Sequence, residues 1–171
     1  MNITRMTVLL LAMSTCSLVW AGLPEAADAM RRGDHATAIQ EWTPLAHKGD
    51  KMAQLYLGAM HLYGKGVPVD NRQAVMWIRR AAEQGVADAQ YFMSVMYSEG
   101  RGVARNESDA TNWLHKAAAQ GHMKAQHNLG VAYEMGLGIR KDMREALIWY
   151  RKAAAQGDAK AQRRIASLVR K

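Results

Sequence analysis

Apolar and polar positions after Gly33 follow a helical pattern that recurs every 36 residues. One stripe has the i, i+3, i+4, i+7, i+8 spacing of an amphipathic helix and consists of Ala74, Trp77, Ile78, Ala81 and Ala82. Gly85 follows this stripe, and glycine adopts the left-handed conformation after a helix without steric cost. The pattern predicts an amphipathic helix that ends before Gly85, and we name it helix A.

A second apolar stripe begins directly after Gly85 and predicts a partner helix, named helix B. It consists of Ala89, Met93, Met96 and Tyr97. Asp70, Asn106 and Asp142 precede successive copies of helix A and are residue types that cap helix N-termini. Each unit is therefore predicted to be a helical hairpin.

The repeat continues through most of the chain without an insertion. The residues in register are Ala38, Ala74, Ala110 and Ala146, then Gly49, Gly85, Gly121 and Gly157, and the Ala-Gln pairs that begin at residues 53, 89, 125 and 161. Gly-x-Gly segments recur at 64–66, 100–102 and 136–138; no strand pattern precedes them, so they are interpreted as connectors rather than phosphate-binding loops. A fixed period of this length predicts an all-α superhelix of about four helix-turn-helix repeats.

The first 21 residues have the pattern of an export signal. Arg5 provides a basic start, the apolar run 7–19 is too short to span a bilayer, and small residues at Val19 and Ala21 suit a signal peptidase. We expect cleavage after Ala21 and localisation in the periplasm, or secretion beyond it. The alternative is that the run forms a buried first helix.

The remaining chain is divided by the same pattern. Residues 22–37 are predicted to form an N-terminal capping helix, and residues 38–171 a repeat domain with units 38–73, 74–109, 110–145 and 146–171. Cys16, the single cysteine, lies in the predicted signal segment, so the mature chain is expected to hold together without disulfides. Its later segments contain no predicted transmembrane helix.

Charge is distributed unevenly along the chain. Residues 22–100 carry 8 basic and 9 acidic side chains, a net of −1, whereas residues 101–171 carry 14 and 6, a net of +8. The basic half favours an anionic partner: an acidic protein, or a lipid head group or cell-wall polymer of the envelope, rather than nucleic acid. The alternative is a basic soluble surface without a specific ligand.

The repeated residues also carry a family resemblance. Each unit approximates Trp-x-x-Lys/Arg-Ala-Ala-x-Gln-Gly, then Ala-x-Ala-Gln-x-x-Leu-Gly-x-x-Tyr, then Gly-x-Gly-Val/Ile, with the clearest copy at 113–139. This pattern resembles the Sel1-like repeat, a relative of the tetratricopeptide repeat. The resemblance implies a superhelix whose concave surface, lined mainly by helix A, binds other proteins. Cysteine-rich relatives are associated with β-lactamase activity, but this chain lacks their cysteines.

Candidate contact residues are those that differ between repeats. On the face of helix A opposite the tryptophans, the polar candidates are Arg72, Arg79, His115, Arg144 and Arg151. On helix B, Tyr91 and Phe92 do not recur and are candidates for an interface or for packing at the end of the core. The recurrent Arg80, Lys116 and Lys152 are interpreted mainly as partners of the helix dipole.

The sequence predicts no catalytic, cofactor or metal site. It contains no Gly-x-Ser-x-Gly motif, and His115, His122 and His127 lack the spacing that places two ligands on one helical face. The predicted function is a non-enzymatic periplasmic protein-binding module, an adaptor or scaffold. The alternatives are an immunity protein that inhibits a secreted toxin enzyme and an enzyme acting on the cell wall.

Overall fold

The computed structural model describes residues 25–169, which form nine helices and no strand. Helix α1 covers 25–31 within this range. The others are α2 (His35–His47), α3 (Lys51–Tyr63), α4 (Asn71–Glu83), α5 (Ala87–Glu99), α6 (Glu107–Ala119), α7 (Met123–Met135), α8 (Met143–Ala155) and α9 (Ala159–Val169). The predicted signal segment and its cleavage site lie outside the described residues, whereas the all-α solenoid prediction is confirmed.

The helices begin and end where their capping residues predicted. The side chains of Asp70, Asn106 and Asp142 each accept hydrogen bonds from two backbone N–H groups of the helix that follows. Gly85 follows the end of α4 with a φ of +86°, and Gly64 ends α3 in the left-handed conformation. These local signals mark the starts of α4, α6 and α8 and the ends of α3 and α4.

The helices form two layers. Helix A of each unit is α2, α4, α6 or α8, and helix B is α3, α5, α7 or α9; each helix packs on the next along the chain. Edge-to-face aromatic contacts join neighbours within a layer, His47 to Trp77 from α2 to α4 and Tyr63 to Phe92 from α3 to α5. The helix-A layer and the helix-B layer therefore present two different surfaces.

Small residues bring the two layers into close contact. Ala74, Ile78 and Ala81 on the predicted stripe are fully buried. A side-chain carbon at Gly130 would lie 2.7 Å from the ring of Tyr150, and one at Gly58 would lie 2.6 Å from Ile78. The recurring alanines and the helical Gly58 and Gly130 therefore allow the two layers to pack closely.

The second glycine of each Gly-x-Gly connector packs on the start of helix A in its own hairpin. A side-chain carbon at Gly102 would overlap the carbonyl of Asn71 in α4, and one at Gly138 would overlap the carbonyl of Glu107 in α6. These glycines have φ values of +73° and +62°. The connectors are structural elements, as the sequence predicted.

Pairs of glutamine amides link successive units. Gln90 in α5 donates to the carbonyl of Ala82 at 3.1 Å and accepts from Gln120 after α6 at 2.7 Å. In the next unit, Gln126 donates to Ala118 at 3.2 Å and accepts from Gln156 at 2.7 Å. The recurrence of Ala-Gln and of Gln-Gly therefore reflects one pair of glutamine amides at each junction, in which the buried glutamine of helix B satisfies a carbonyl near the end of helix A.

The recurrent basic residue of helix A lies over the recurrent tryptophan. The charged group is 4.7 Å from the ring centre for Arg80 on Trp77, 4.2 Å for Lys116 on Trp113 and 3.9 Å for Lys152 on Trp149. Cation–π attraction therefore adds to the helix-dipole interaction that the sequence suggested.

Candidate protein-binding surface

The polar residues predicted on helix A lie on the helix-A layer. Arg72, His115, Arg144 and Arg151 are exposed to solvent. Arg79 differs, because it is half-buried and its guanidinium donates to the Tyr97 hydroxyl at 2.9 Å and lies over that ring. The structure also forms a groove on the helix-B layer, and none of these five residues lines it.

The helix-B layer carries a continuous groove across the N-terminal halves of α5, α7 and α9. It consists of two adjoining depressions, of about 520 and about 470 Å³, that share Tyr91, Met123 and Lys124. The structure thus brings the predicted aromatic pair, Tyr91 and Phe92, into the groove and separates it from the arginines on helix A.

One end of the groove is aromatic. Tyr91 stacks on His122 with ring centres 4.7 Å apart, and Phe92 meets Tyr63, which is 55% exposed. Burial raises the pKa of Tyr91 above its ordinary value, although a hydrogen bond from Asn128 acts in the opposite direction. This end offers large, partly accessible rings for contact with a partner.

His122 is held by two hydrogen-bonding partners. Its Nδ1 accepts the Ala125 backbone N–H at 3.1 Å and so caps α7, while Nε2 lies 3.1 Å from Oδ1 of Asp88. In the neutral ring this arrangement places the proton on Nε2. The aromatic end is thereby fixed to the start of α7 and to α5.

The other end of the groove is basic. Lys124, Lys160 and Arg163 are exposed along it, and none has a carboxylate within 4 Å among residues 25–169. Two repeats earlier, the positions of Lys124 and Lys160 are Met52 and Asp88. The groove therefore changes from aromatic to basic along the stack of repeats.

Asp158 lies in the floor of the basic end and caps α9. It accepts the backbone N–H groups of Lys160 at 2.8 Å and Ala161 at 3.1 Å, and His127 Nδ1 is 3.2 Å from its Oδ2 without hydrogen-bond geometry. Burial acts to raise the pKa of Asp158, but the two N–H groups and the nearby His127 and Lys160 outweigh it and lower that pKa. The negative charge of Asp158 therefore serves to cap α9.

The basic residues of the groove were missed in the sequence. Comparing the positions of helix B one period apart, at 52, 88, 124 and 160, shows the change to lysine in the last two units. The same comparison one turn later yields Leu55, Tyr91, His127 and Arg163. These rows are a usable signal for the basic end, whereas the aromatic positions of helix B alone indicate only Tyr91 and Phe92.

The described residues contain no cluster of three or more His, Cys, Asp or Glu side chains arranged to hold a metal ion. None of the helices formed by residues 25–169 is long and apolar enough to cross a membrane.

Comparison with known families gives a match to the Sel1 repeat at residues 51–86, 87–122 and 124–158. Each matched unit begins with helix B, whereas the units taken from the sequence begin with helix A; the period is the same. A comparison with curated protein sequences finds no match.

Several solved structures resemble the chain over most of its length. A Sel1 repeat protein from Oxalobacter formigenes is 40% identical, with a TM-score of 0.71 over 75% of this chain and 97% of that protein. The protective antigen c5321 of uropathogenic Escherichia coli is 31% identical, with a TM-score of 0.77 over 94% of this chain, which spans only 34% of c5321. Helicobacter pylori cysteine rich protein B is 20% identical, with a TM-score of 0.60 over 75% of this chain and 92% of that protein, and shares the fold.

Proposed function

The chain belongs to the Sel1 repeat family, whose members generally mediate protein–protein interaction, and we propose that it is a non-catalytic scaffold that binds an acidic protein segment in the groove of the helix-B layer. The observation that carries this proposal is the groove itself, because its aromatic and basic ends occupy positions that differ between repeats. Shared positions build the fold, and only variable ones can confer specificity on a given member.

The electrostatics of the groove support an acidic partner. None of Lys124, Lys160 and Arg163 forms an ion pair within 4 Å among the described residues, so a carboxylate from a partner would meet cations that are not directly paired. The rings of Tyr91 and Phe92 supply adjoining apolar area. An anionic envelope component, such as a lipid head group or cell-wall polymer, would compete for the same cations.

We further propose that this interaction takes place in the periplasm after export. The support is the basic, apolar and small-residue pattern of residues 1–21. Expression of the full chain with a C-terminal tag, followed by fractionation and intact-mass measurement, tests it. A periplasmic product beginning at Gly22 is expected, and an uncleaved cytoplasmic product would contradict the proposal.

The groove is tested by reversing its charges. The variant Lys124→Glu/Lys160→Glu/Arg163→Glu should bind partners captured from an envelope extract about tenfold more weakly or worse, with unfolding temperature nearly unchanged. Binding by the wild type should also weaken at high salt, because exposed charges are screened.

The matched control reverses three arginines on the helix-A layer, Arg72→Glu/Arg144→Glu/Arg151→Glu, and changes the net charge equally. Retained capture by this variant is expected. The opposite result, loss of capture only in this variant, would place the interface on helix A as the family resemblance implied. If neither triple variant affects capture, the groove proposal is wrong.

The captured partner also distinguishes a scaffold from an inhibitor. A partner that is a secreted toxin enzyme, and that loses activity on binding, would identify an immunity protein. Turnover of peptidoglycan or a β-lactam by the purified chain would contradict the non-catalytic proposal.

A further inference from the structure

A separate cavity of about 220 Å³ lies between α5, α6 and α7. Its floor is formed by buried Ala110 and Leu114 of α6, and its mouth by the partly exposed Val95, Ser98 and Val131. Asn128 lines both this cavity and the groove, so the two adjoin on the helix-B layer.

The preceding repeat shows why the cavity is open. There the equivalents of Ser98, Thr111 and Leu114 are Leu62, Val75 and Ile78, which are buried and pack in one apolar cluster. Threonine resembles valine in size, and leucine resembles isoleucine. Two further lining residues are smaller than their equivalents, Ala132 in place of Met96 and Asn128 in place of Phe92. The difference in volume therefore comes from these two positions together with the serine in place of Leu62.

The following repeat fills the same place differently. Glu134, Leu147 and Tyr150 occupy the equivalent positions; Tyr150 donates to Glu134 at 2.8 Å, and Arg164 of α9 donates to Glu134 at 2.9 Å. Only the unit between these two carries small side chains at the site.

The hydroxyl groups of the cavity wall already have partners. Ser94, Ser98 and Thr111 donate to backbone carbonyls at 2.7, 3.0 and 2.8 Å. Glu107 at the rim is paired with Arg105 at 2.6 Å. The lining thus presents mainly apolar surface and no unpaired charge, which suits an uncharged apolar group.

The size of the cavity determines the size of that group. A cavity of about 150 Å³ lined by apolar side chains holds benzene. A space of about 220 Å³ therefore accommodates a phenyl ring or a branched aliphatic side chain.

We infer that this cavity, the anchor pocket, receives one phenylalanine-sized or leucine-sized side chain from the acidic segment that binds in the groove. The inference rests on the proposed function, because it assigns the groove's partner an apolar anchor next to its acidic residues. Lys124, Lys160 and Arg163 would then hold the acidic part while the pocket holds the anchor. Burying such an anchor at the centre of an interface concentrates binding energy in one residue.

The pocket is tested first with benzene and the variant Ser98→Leu. This substitution restores the residue of the preceding repeat and places a leucine side chain in the cavity, so the fold should be as stable as the wild type or more stable. Benzene should shift the NMR signals of Val95, Ser98, Leu114 and Val131 in the wild type, and these shifts should be lost in Ser98→Leu. An absence of benzene-induced shifts in the wild type would overturn the pocket.

The second test uses a displayed library of random twelve-residue peptides selected on the wild type. Selected peptides should combine a large apolar residue with nearby Asp or Glu, and should bind Ser98→Leu about tenfold more weakly or worse. Ser108→Leu, the same substitution at an exposed site on the helix-A layer, should leave their affinity unchanged.

The outcomes separate the two proposals. Peptides that lose affinity for the charge-reversed groove but bind Ser98→Leu normally would refute the anchor pocket and support the groove. Peptides unaffected by either change, or the absence of any selected peptide, would refute both. Loss of affinity in both variants, with folding intact, supports both.

Discussion

At the scale of single residues, the second glycine of each connector allows the connector to pack against the start of helix A. The space beside Gly138 is occupied by the backbone of Glu107, and its φ is +62°. Gly121 has a φ of +88° but no atom within 4 Å of the position of an added carbon. Comparing substitutions at the two glycines therefore distinguishes the effect of backbone conformation from that of close packing.

Gly138→Ala should therefore destabilise the fold more than Gly121→Ala. The control should lower the free energy of unfolding by about 1 kcal/mol, the cost of a non-glycine residue in the left-handed region. Gly138→Ala should lower it by a further amount of about 1–3 kcal/mol, because the connector must move away from α6. Chemical denaturation of both variants measures the difference, and equal losses would show that the contact is unimportant.

The sequence revealed which residues recur but not always what each recurrent residue contacts. The tryptophans were predicted as packing residues from their period, and Trp77 and Trp149 are buried. The basic residue three positions later was assigned to the helix dipole, although its side chain also lies on the ring. Both interactions favour a cation at that position, so recurrence alone could not distinguish them.

At the scale of helices, the glutamine amides connect hairpins that follow one another in the chain. Gln126 occupies a buried site with a donor and an acceptor partner, whereas Gln162 in α9 is exposed and makes one bond of 3.3 Å. The same residue type therefore has a different energetic role in the last unit.

Gln126→Leu should lower the free energy of unfolding by about 2 kcal/mol, because the Ala118 carbonyl and the Gln156 amide lose a partner. Gln162→Leu should change it by no more than about 0.5 kcal/mol. Equilibrium denaturation of the pair measures the effect. A Gln126→Leu variant as stable as wild type would mean that this pair of glutamine amides does not contribute to stability.

Helix α9 should respond to acid through its cap. The pKa of Asp158 is lowered in the fold, so its stabilising effect is present above the pKa of the unfolded chain, about 3.9, and is lost as pH falls through the folded value. The variant Asp158→Asn retains a side-chain cap for α9, but its amide does not titrate.

The stability of wild type minus that of Asp158→Asn should therefore decrease as pH falls below about 4, from a value of about 0.5–1 kcal/mol near neutrality. Thermal unfolding of both proteins from acidic to neutral pH measures this difference. A difference independent of pH would show that the charge of Asp158 does not stabilise α9.

Helix boundaries were predictable because caps are local: Asp70 and Gly85 are recognisable from a few neighbouring residues. The position of the groove was not. Helical periodicity identifies which side of a helix faces the core, but the depressions depend on how neighbouring helices of one layer are spaced. The arginines on helix A are exposed, as their position on the helix predicted, with the exception of the half-buried Arg79. They nevertheless lie outside the groove.

At the scale of the whole molecule, three tyrosines in the stacked repeats make the stability of the fold sensitive to alkaline pH. Burial raises the pKa of Tyr91, Tyr133 and Tyr150, with Glu145 and Asp142 adding to the effect at Tyr133. A raised pKa means that the folded chain holds these protons more tightly than the unfolded chain. Stability should therefore fall as pH rises past about 10, the ordinary tyrosine pKa.

Tyr133→Phe should reduce this alkaline loss, since phenylalanine does not ionise. The stability of wild type relative to the variant should be constant at neutral pH and decline above about pH 10. Denaturation curves at several alkaline pH values provide the measurement. Parallel decline of the two proteins would mean that Tyr133 ionises equally easily in both states.

The uneven charge of the chain was visible in the sequence, and the structure shows where part of it lies. Lys124, Lys160 and Arg163, from the basic half, lie along one groove. Placing them together requires knowledge that α7 and α9 are neighbours in one layer. The sequence shows the period of the repeats. Whether residues one period apart lie close together depends on how the repeats stack, which the structure shows.

The glutamine pairs also constrain how such a protein can change in length. Each amide finds its partner in the adjoining hairpin, at Gln90 with Gln120 and again at Gln126 with Gln156. Loss or gain of part of a unit would leave a buried amide without a partner, whereas a whole unit of 36 residues preserves every pairing. Duplication of a whole unit therefore lengthens the stack of repeats and keeps every pair of glutamine amides intact.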